Sequence, residues 1–475
     1  MPQSIPLFAA QKRIYPRDIR GFYRTLKWLA MIALLAIYYL TPWIRWDRGP
    51  HAPDQAILID MPARRAYFFF IEIWPQEVFF ITGLLILAAL ALFFVTSLFG
   101  RIWCGYACPQ TVWTDLFVKV EQLIQGDRNA RMKLDQGPLS FNKVWRKTLT
   151  HILWIVIGLC TGGAWVFYFN DAPTLADQIV HLEVPVNTAL WIFGLTLSTY
   201  IMAGYAREQV CTYMCPYARF QSAMFDQDTL IIGYDAVRGE PRGSHKKGDS
   251  WEGRGDCIDC QQCVVVCPTG IDIREGLQME CIACGACVDA CNDVMEKVGL
   301  PPGLIRYDTE RNQNERALAK ALGTSFKDRL RIIRPRTIYY MVFLAAIGGL
   351  LLAALLTRSM MDLHVLHDRN PLFVRLSDGG IRNSYTVKIL NKAAEDHDYS
   401  LTLEGLPQAA VKVEGAGTPD PAHLDVLVDS VGQFRVLVAL PPNAIHFSRQ
   451  DVTFRITDNI THQSEAIRSM FVTGE

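Results

Sequence analysis

Cys257-Ile-Asp-Cys260-Gln-Gln-Cys263-Val-Val-Val-Cys267-Pro268 and Cys281-Ile-Ala-Cys284-Gly-Ala-Cys287-Val-Asp-Ala-Cys291 give the chain two four-cysteine runs of identical spacing. At this spacing three thiolates wrap one [4Fe-4S] cubane corner by corner, and the fourth crosses to the neighbouring cluster. The spacing therefore assigns Cys257, Cys260, Cys263 and Cys291 to one cluster, and Cys267, Cys281, Cys284 and Cys287 to the other. Zinc is the rival ion for C-x-x-C pairs, but two complete runs favour cubanes. Neighbouring cubanes form a one-electron relay. Eight of the 13 cysteines fall in this segment and none follows Cys291, which is ligand clustering rather than disulfide stapling. Pro268 closes the first run, whereas Asn292 follows the second, a departure that bears on the turn more than on ligation.

Outward from this segment the 475 residues are strongly segregated: 50% are hydrophobic and 20% charged, an unusual balance for a purely soluble protein. Lys+Arg and Asp+Glu both total 47, so nothing points to nucleic acid. Five apolar stretches approach the length needed to cross a bilayer, near Trp28 to Trp46, Val78 to Phe99, His151 to Phe169, Ala189 to Tyr205 and Ile338 to Leu356. Trp43, Trp46, Trp154, Trp165 and Trp191 read as interfacial anchors. The front carries Lys12, Arg13, Arg17, Arg20, Arg24 and Lys27 with no small-residue cleavage pattern behind the first span, which reads as an uncleaved anchor.

Basic residues fix the orientation. Residues 101–150 hold Arg101, Lys119, Arg128, Arg131, Lys133, Lys143, Arg146 and Lys147, whereas Asn170 to Thr188 hold no Lys or Arg. The N-terminus and the second and fourth connections are thus expected inside, and everything after Leu356 outside. Arg45, Arg48, Arg64 and Arg65 fit this topology least well, and the stretch from Asp60 to Arg65 is expected at the outer headgroup level. From about Asn370 the pattern turns to alternation, as in Tyr385 to Leu390, Leu424 to Val428, Phe434 to Val438 and Val452 to Ile456, punctuated by Gly379-Gly380, Pro419 to Pro421 and Pro441-Pro442. Seven or eight strands predict an antiparallel, immunoglobulin-like sandwich serving as a binding or bracing module. The expected fold class is a multi-domain membrane protein with an α+β ferredoxin-like domain and an all-β C-terminal domain. Its expected segments are 1–27, a cytoplasmic front; 28–205, four spans with the connection 101–150; 206–337, the ferredoxin-like domain; 338–356, the fifth span; and 357–475, the sandwich.

A second pair of motifs, Cys104-Gly-Tyr-Ala-Cys108-Pro109 and Cys211-Thr-Tyr-Met-Cys215-Pro216, follows the second and fourth spans. If each is helical, its two thiols share a face. If the prolines open new helices, Cys108 and Cys215 become N-caps where the dipole favours thiolate. Copper, a redox disulfide or a further cluster all suit such thiols, and Met214 could add a thioether, though packing is its expected use. Cys160 reads as a small packing residue. Met360, Met361, His364 and His367 resemble a copper-ligand set but are expected to be ordinary juxtamembrane residues, and Glu72, Glu77 and His151 are expected at interfaces rather than in quinol proton transfer.

With these motifs in place, nearly the whole chain resembles the FixG/CcoG (RdxA) family of cytochrome c oxidase accessory proteins. The two C-x-x-x-C-P motifs are also similar to those of NapH- and NosR-type membrane ferredoxins. The resemblance implies a Cu(II) reductase of the bacterial inner membrane that supplies Cu(I) to the cbb3-type oxidase, with cytoplasmic clusters and a periplasmic sandwich. It makes Cys104, Cys108, Cys211 and Cys215 the candidate catalytic and copper-binding residues. Implied partners are membrane lipid, copper ions, a copper chaperone or transporter and oxidase assembly factors, with homo-oligomerisation left open. A NapH-like quinol dehydrogenase relay and a non-catalytic assembly scaffold are the competing readings.

Overall fold

The computed structural model describes residues 13–49, 52–245, 250–393, 395–414, 420–428 and 430–474; Lys12 and Pro419 lie outside the described residues. The chain divides into two compact units, residues 1–45 with 55–351, and residues 46–54 with 352–475.

The first unit begins with α1 (Phe22–Leu40), α2 (Phe79–Phe99), α3 (Ile102–Tyr106), α4 (Pro109–Gln125), α5 (Arg128–Gln136), α6 (Phe141–Val166), α7 (Ala172–His181) and α8 (Val186–Thr199). Among the described residues, five helices are long and apolar enough to cross a membrane: Phe22–Trp43, Pro75–Phe99, Phe141–Val166, Val186–Ala206 and Pro335–Leu356. The third starts ten residues before the expected His151. Ser140 caps it by accepting the Lys143 amide at 3.3 Å, and Lys143 and Lys147 carry charge on long stems that tolerate an apolar surround. Lys143 Nζ donates to the Gly137 carbonyl at 2.6 Å and Lys147 Nζ to Gln125 Oε1 at 2.9 Å. Residues 101–150 are thus mostly helical.

The first connection holds an antiparallel sheet of β1 (Ile57–Asp60), β2 (Arg65–Phe68) and β3 (Ile71–Ile73). Two of its arginines are neutralised locally: Arg65 pairs with Glu72 at 3.2 Å and lies 3.8 Å over the Trp74 ring, and Arg45 reaches Asp171 at 2.6 Å. Such short strands leave almost no alternation to read. Trp43, Trp46, Trp165 and Trp191 are exposed, as anchors should be, but Trp154 is only 2% exposed. It is a core residue, stacked on Phe117 at 5.2 Å and donating Nε1–H to the Phe117 carbonyl at 3.1 Å. Cys160 is exposed rather than packed.

After α9 (Pro216–Ala223), β4 (Ile231–Tyr234) pairs antiparallel with β5 (Ile305–Asp308) around the short α10 (Ala236–Gly239), α11 (Gln262–Val265) and α12 (Ala286–Val298); α13 (Glu310–Leu322) and α14 (Pro335–Leu356) follow. Ile232, Ile273, Val288, Met295, Leu304 and Ile305 pack with Cys257, Cys263 and Cys291 into the core of this α+β module. Asn292 explains the missing proline, because α12 continues straight through it. A proline there would remove a helical hydrogen bond and kink the helix. Asn292 Oδ1 also accepts the Gly303 amide at 2.9 Å.

The same module grips the chain's beginning. The Arg17 amide donates to the Val265 carbonyl at 3.0 Å. Asp289 of α12 accepts the Tyr23 and Arg24 amides at 3.2 and 2.8 Å, capping α1 from far along the sequence. Gly21 makes room for this cap, since a Cβ there would lie 2.3 Å from Asp289 Cγ.

The second unit contains β6 (Met361–His367), β7 (Val374–Arg375), β8 (Ile381–Asn391), β9 (His397–Glu404), β10 (Ala410–Glu414), β11 (Leu424–Val426), β12 (Ser430–Leu440), β13 (Arg449–Asp458) and β14 (Ser464–Val472). One sheet runs β10-β12-β8-β6 with β7 beside β8, and the other β11-β9-β13-β14. Alternate residues such as Tyr385, Val387 and Ile389 meet Tyr399, Phe454, Ile456 and Phe471 in a shared core. The sandwich starts earlier than Asn370 because β6 pairs with β8, Met361 opposite Asn391. Strand pleating then separates the Met/His set: Met361 is buried, whereas His364 points the other way and is exposed.

Candidate metal centres

Two cavities in the α+β module divide the eight cysteines crosswise. Cys257, Cys260, Cys263 and Cys291 line one. Cys267, Cys281, Cys284 and Cys287 line the other, with Cys263 at its edge. The loops wrap tightly enough that Asp259, Gln261 and Ala283 adopt positive φ between the cysteines. Among the described residues no three His, Cys, Asp or Glu side chains converge on one ion, neither here nor at Cys104, Cys108, Cys211 and Cys215. A cubane takes one thiolate per corner, and thiols distributed around two such cavities suit it. Burial pushes the Cys263, Cys281 and Cys291 thiols up to about 12, and raises Cys284 and Cys287 as well. Such thiols ionise only against a strong local charge, which coordinated iron provides.

The two C-x-x-x-C-P motifs adopt one local plan. Pro109 and Pro216 occupy the first turns of α4 and α9, so Cys108 and Cys215 are N-caps, while Cys104 lies on α3 and Cys211 in a π-helical turn, Val210–Met214. The four thiols lie near enough to perturb one another: Cys104 feels Cys108 and Cys215, and Cys211 feels the other three. Burial comes first in each case, raising Cys104 to about 11 and Cys211 to about 12. Cys108 is raised too, so the expected thiolate at this N-cap is overridden by burial, although the Gln110 and Thr111 amides oppose the shift. Met214 is 60% exposed, so it is not the packing residue expected.

Arg101 and Gln221 complete this site, although in the sequence Arg101 reads only as one more basic loop residue. Cys104 Sγ donates to Gln221 Oε1 at 3.2 Å. Arg101 is buried and donates to the carbonyls of Cys281 at 3.3 Å and Ala218 at 2.7 Å, while its Nε has no partner among the described residues. Burial lowers its pKa, and Cys104, Cys281, Glu280 and Cys211 act to restore it. Ionised, metal-bound thiolates would add to the counter-charge that Glu280 gives this buried guanidinium. Gly105 brings the motif against the second cluster loop: a Cβ there would meet the Ile282 and Ala283 carbonyl oxygens at 2.7 and 2.9 Å. Tyr106 and Tyr307 donate to the Cys284 and Ala283 carbonyls at 3.3 and 2.6 Å. The Cys281 group therefore lies between the Cys257 group and the four membrane-proximal thiols.

Apolar spans joined to a paired-cavity cysteine module define a membrane iron-sulfur redox protein. Residues 206–310 match the 4Fe-4S dicluster domain, residues 81–129 the 4Fe-4S binding domain, and residues 351–474 the Ig-like fold at the C-terminal of FixG. The chain is 48% identical to nitrogen fixation protein FixG of Rhizobium meliloti, over 98% of this chain and 94% of that one. It is 48% identical to protein RdxA of Cereibacter sphaeroides, over 92% and 91% of the two chains. A crystal structure of a FixG-related protein from Vibrio parahaemolyticus covers 24% of this chain and 97% of its own, with 21% identity and a TM-score of 0.22. The chain belongs to the FixG/RdxA family.

Proposed function

We propose that this protein reduces Cu(II) to Cu(I) at Cys104, Cys108, Cys211 and Cys215, drawing electrons through two clusters held by the eight cysteines from Cys257 to Cys291. The observation that carries this reading is four half-buried thiols near enough to perturb one another, beside the Cys281–Cys284 loop that Gly105 abuts. Bound clusters supply one electron at a time, which matches the change from Cu(II) to Cu(I). Thiolate ligands favour the soft Cu(I) product. Arg101 offsets their charge, and Gly105 permits the close approach. The family resemblance supports delivery of Cu(I) to a cbb3-type oxidase, with a copper chaperone or transporter and assembly factors as partners. Basic-loop asymmetry supports a cytoplasmic N-terminus and clusters, with the sandwich periplasmic.

The test is anaerobic stopped-flow of the dithionite-reduced protein with Cu(II), following cluster absorbance and Cu(I) together. Cys108→Ser or Cys215→Ser should leave the two ferredoxin-like clusters spectroscopically intact and slow their oxidation by Cu(II) at least about tenfold, roughly 1.4 kcal/mol in barrier. A double variant that reduces Cu(II) at the parental rate moves the chemistry elsewhere. A second reading follows from the 4Fe-4S binding match over residues 81–129, whose cysteines are Cys104 and Cys108. With Cys211 and Cys215 they would hold a third cluster, giving about twelve irons per chain where two cubanes give about eight.

A further inference from the structure

An apolar groove between α6 and α8, about 750 Å³ in volume, is lined by Ile155, Leu159, Ile192, Phe193 and Leu197 and ends at Tyr200. There the apolar wall gives way to a hydrogen-bonded group. Tyr200 Oη lies 3.1 Å from His151 Nδ1 and 3.2 Å from Tyr205 Oη. The imidazole stacks on the Tyr205 ring and meets Trp154 edge-on at 5.2 Å. The backbone is specialised at this point, since Tyr200–Ala206 is π-helical. An α-helix would turn residues five apart well away from each other. The wider turn brings the two tyrosine hydroxyls together, and such turns recur at functional sites.

The polar end continues toward the thiols. His151 and Tyr205 line a pocket with Glu121, Arg207 and Glu208, and the last two also line the cavity that reaches Cys211 and Cys284. Tyr200 at the end of the apolar groove is thus bonded to two residues of a polar pocket, which in turn shares Arg207 and Glu208 with the cavity at Cys211.

We propose that this groove binds a membrane quinol, tail along α6 and α8 and ring at Tyr200, His151 and Tyr205, and that this quinol is the electron donor. The proposal rests on the iron-sulfur relay reading but not on copper as the acceptor. Oxidation converts the hydroquinone to quinone with loss of two electrons and two protons. The electrons leave singly to two oxidised iron-sulfur centres. One hydroxyl proton passes through Tyr200 to the neutral His151 imidazole, and the other goes to water in the polar pocket, which also takes the imidazolium proton.

The experiment uses the full chain in lipid nanodiscs, anaerobic and without copper. An azidoquinone photolabel should mark α6 and α8 peptides and be competed by decylubiquinone. Decylubiquinol should bleach the cluster absorbance, and His151→Gln should slow that bleaching about a hundredfold, the range expected for loss of a proton acceptor. Leu159→Trp, which fills the groove, should abolish competed labelling. Dithionite, which needs no groove, reports in every variant that the clusters are in place. Label spread over all lipid-facing helices and indifferent to decylubiquinone means that an acyl chain fills the groove and overturns the proposal, as does parental bleaching in His151→Gln. Failure of the copper reading is seen separately, in Cu(II) oxidation of dithionite-reduced protein.

Discussion

Replacing Gly105 by alanine tests the junction between the four thiols and the second cluster loop with a single methyl group. In an open helix the change is favourable, since alanine exceeds glycine in helix propensity by about 1 kcal/mol. Here the methyl would lie 2.7 Å from the Ile282 oxygen and 2.9 Å from the Ala283 oxygen, both backbone atoms of the loop that carries Cys281 and Cys284. Relieving such contacts costs about 1–3 kcal/mol in a packed interior. Strain outweighs propensity, leaving a net loss of about 1 kcal/mol. The midpoint for denaturant-induced loss of cluster absorbance should fall, and Cu(II) oxidation of reduced protein should slow while dithionite reduction is spared. Gly194→Ala is the matched control: nothing lies within 4 Å of its built Cβ, so the midpoint should hold or rise. Equal behaviour of the two variants would refute the close docking.

Glu121, itself buried, accepts Arg207 at 2.6 Å, Arg13 at 3.1 Å and Arg131 at 3.2 Å, so Glu121→Gln should cost about 3–5 kcal/mol by stranding the buried Arg131 and Arg207. Burial opposes its ionisation, but the three arginines hold the carboxyl below the usual glutamate range. That contribution is therefore complete above about pH 4.3 and lost as pH falls through the depressed folded value; acid melts should show a step that Glu121→Gln lacks. Cys257→Ala and Cys281→Ala should each disturb a different cluster by electron paramagnetic resonance, and stoichiometric zinc with negligible sulfide in the parent would sink the cubane reading. Reporter fusions after Phe169 and within the sandwich should read outside and one near Gly255 inside; an inside signal from the sandwich overturns the orientation.

Periodic and spaced features were legible. The 2-2-3 cysteine runs, the five apolar stretches and the alternation through Tyr385 to Leu390 each repeat a pattern that local chemistry imposes. What escaped is set by tertiary contact. Trp154 reads as an anchor until Phe117 covers it, and β1 to β3 are too short to alternate. At Cys108 an N-cap position promised a lowered pKa, but sequence carries no measure of burial, and burial decided the sign. Arg101 and Gly105 gave no signal at all, because their importance lies in backbone carbonyls more than a hundred residues away.

The Asp289 cap implies an order of events during synthesis. It reaches amides 266 and 265 residues earlier, a separation that takes roughly 10–50 s to translate. For that interval the first membrane helix emerges with its leading amides unsatisfied, and it is sealed only when the segment between Cys287 and Cys291 has been made and folded. Loading of iron and closure of the membrane domain are thereby linked. A chain that fails to acquire its clusters should leave its own beginning loose and open to quality-control proteolysis ahead of Tyr23.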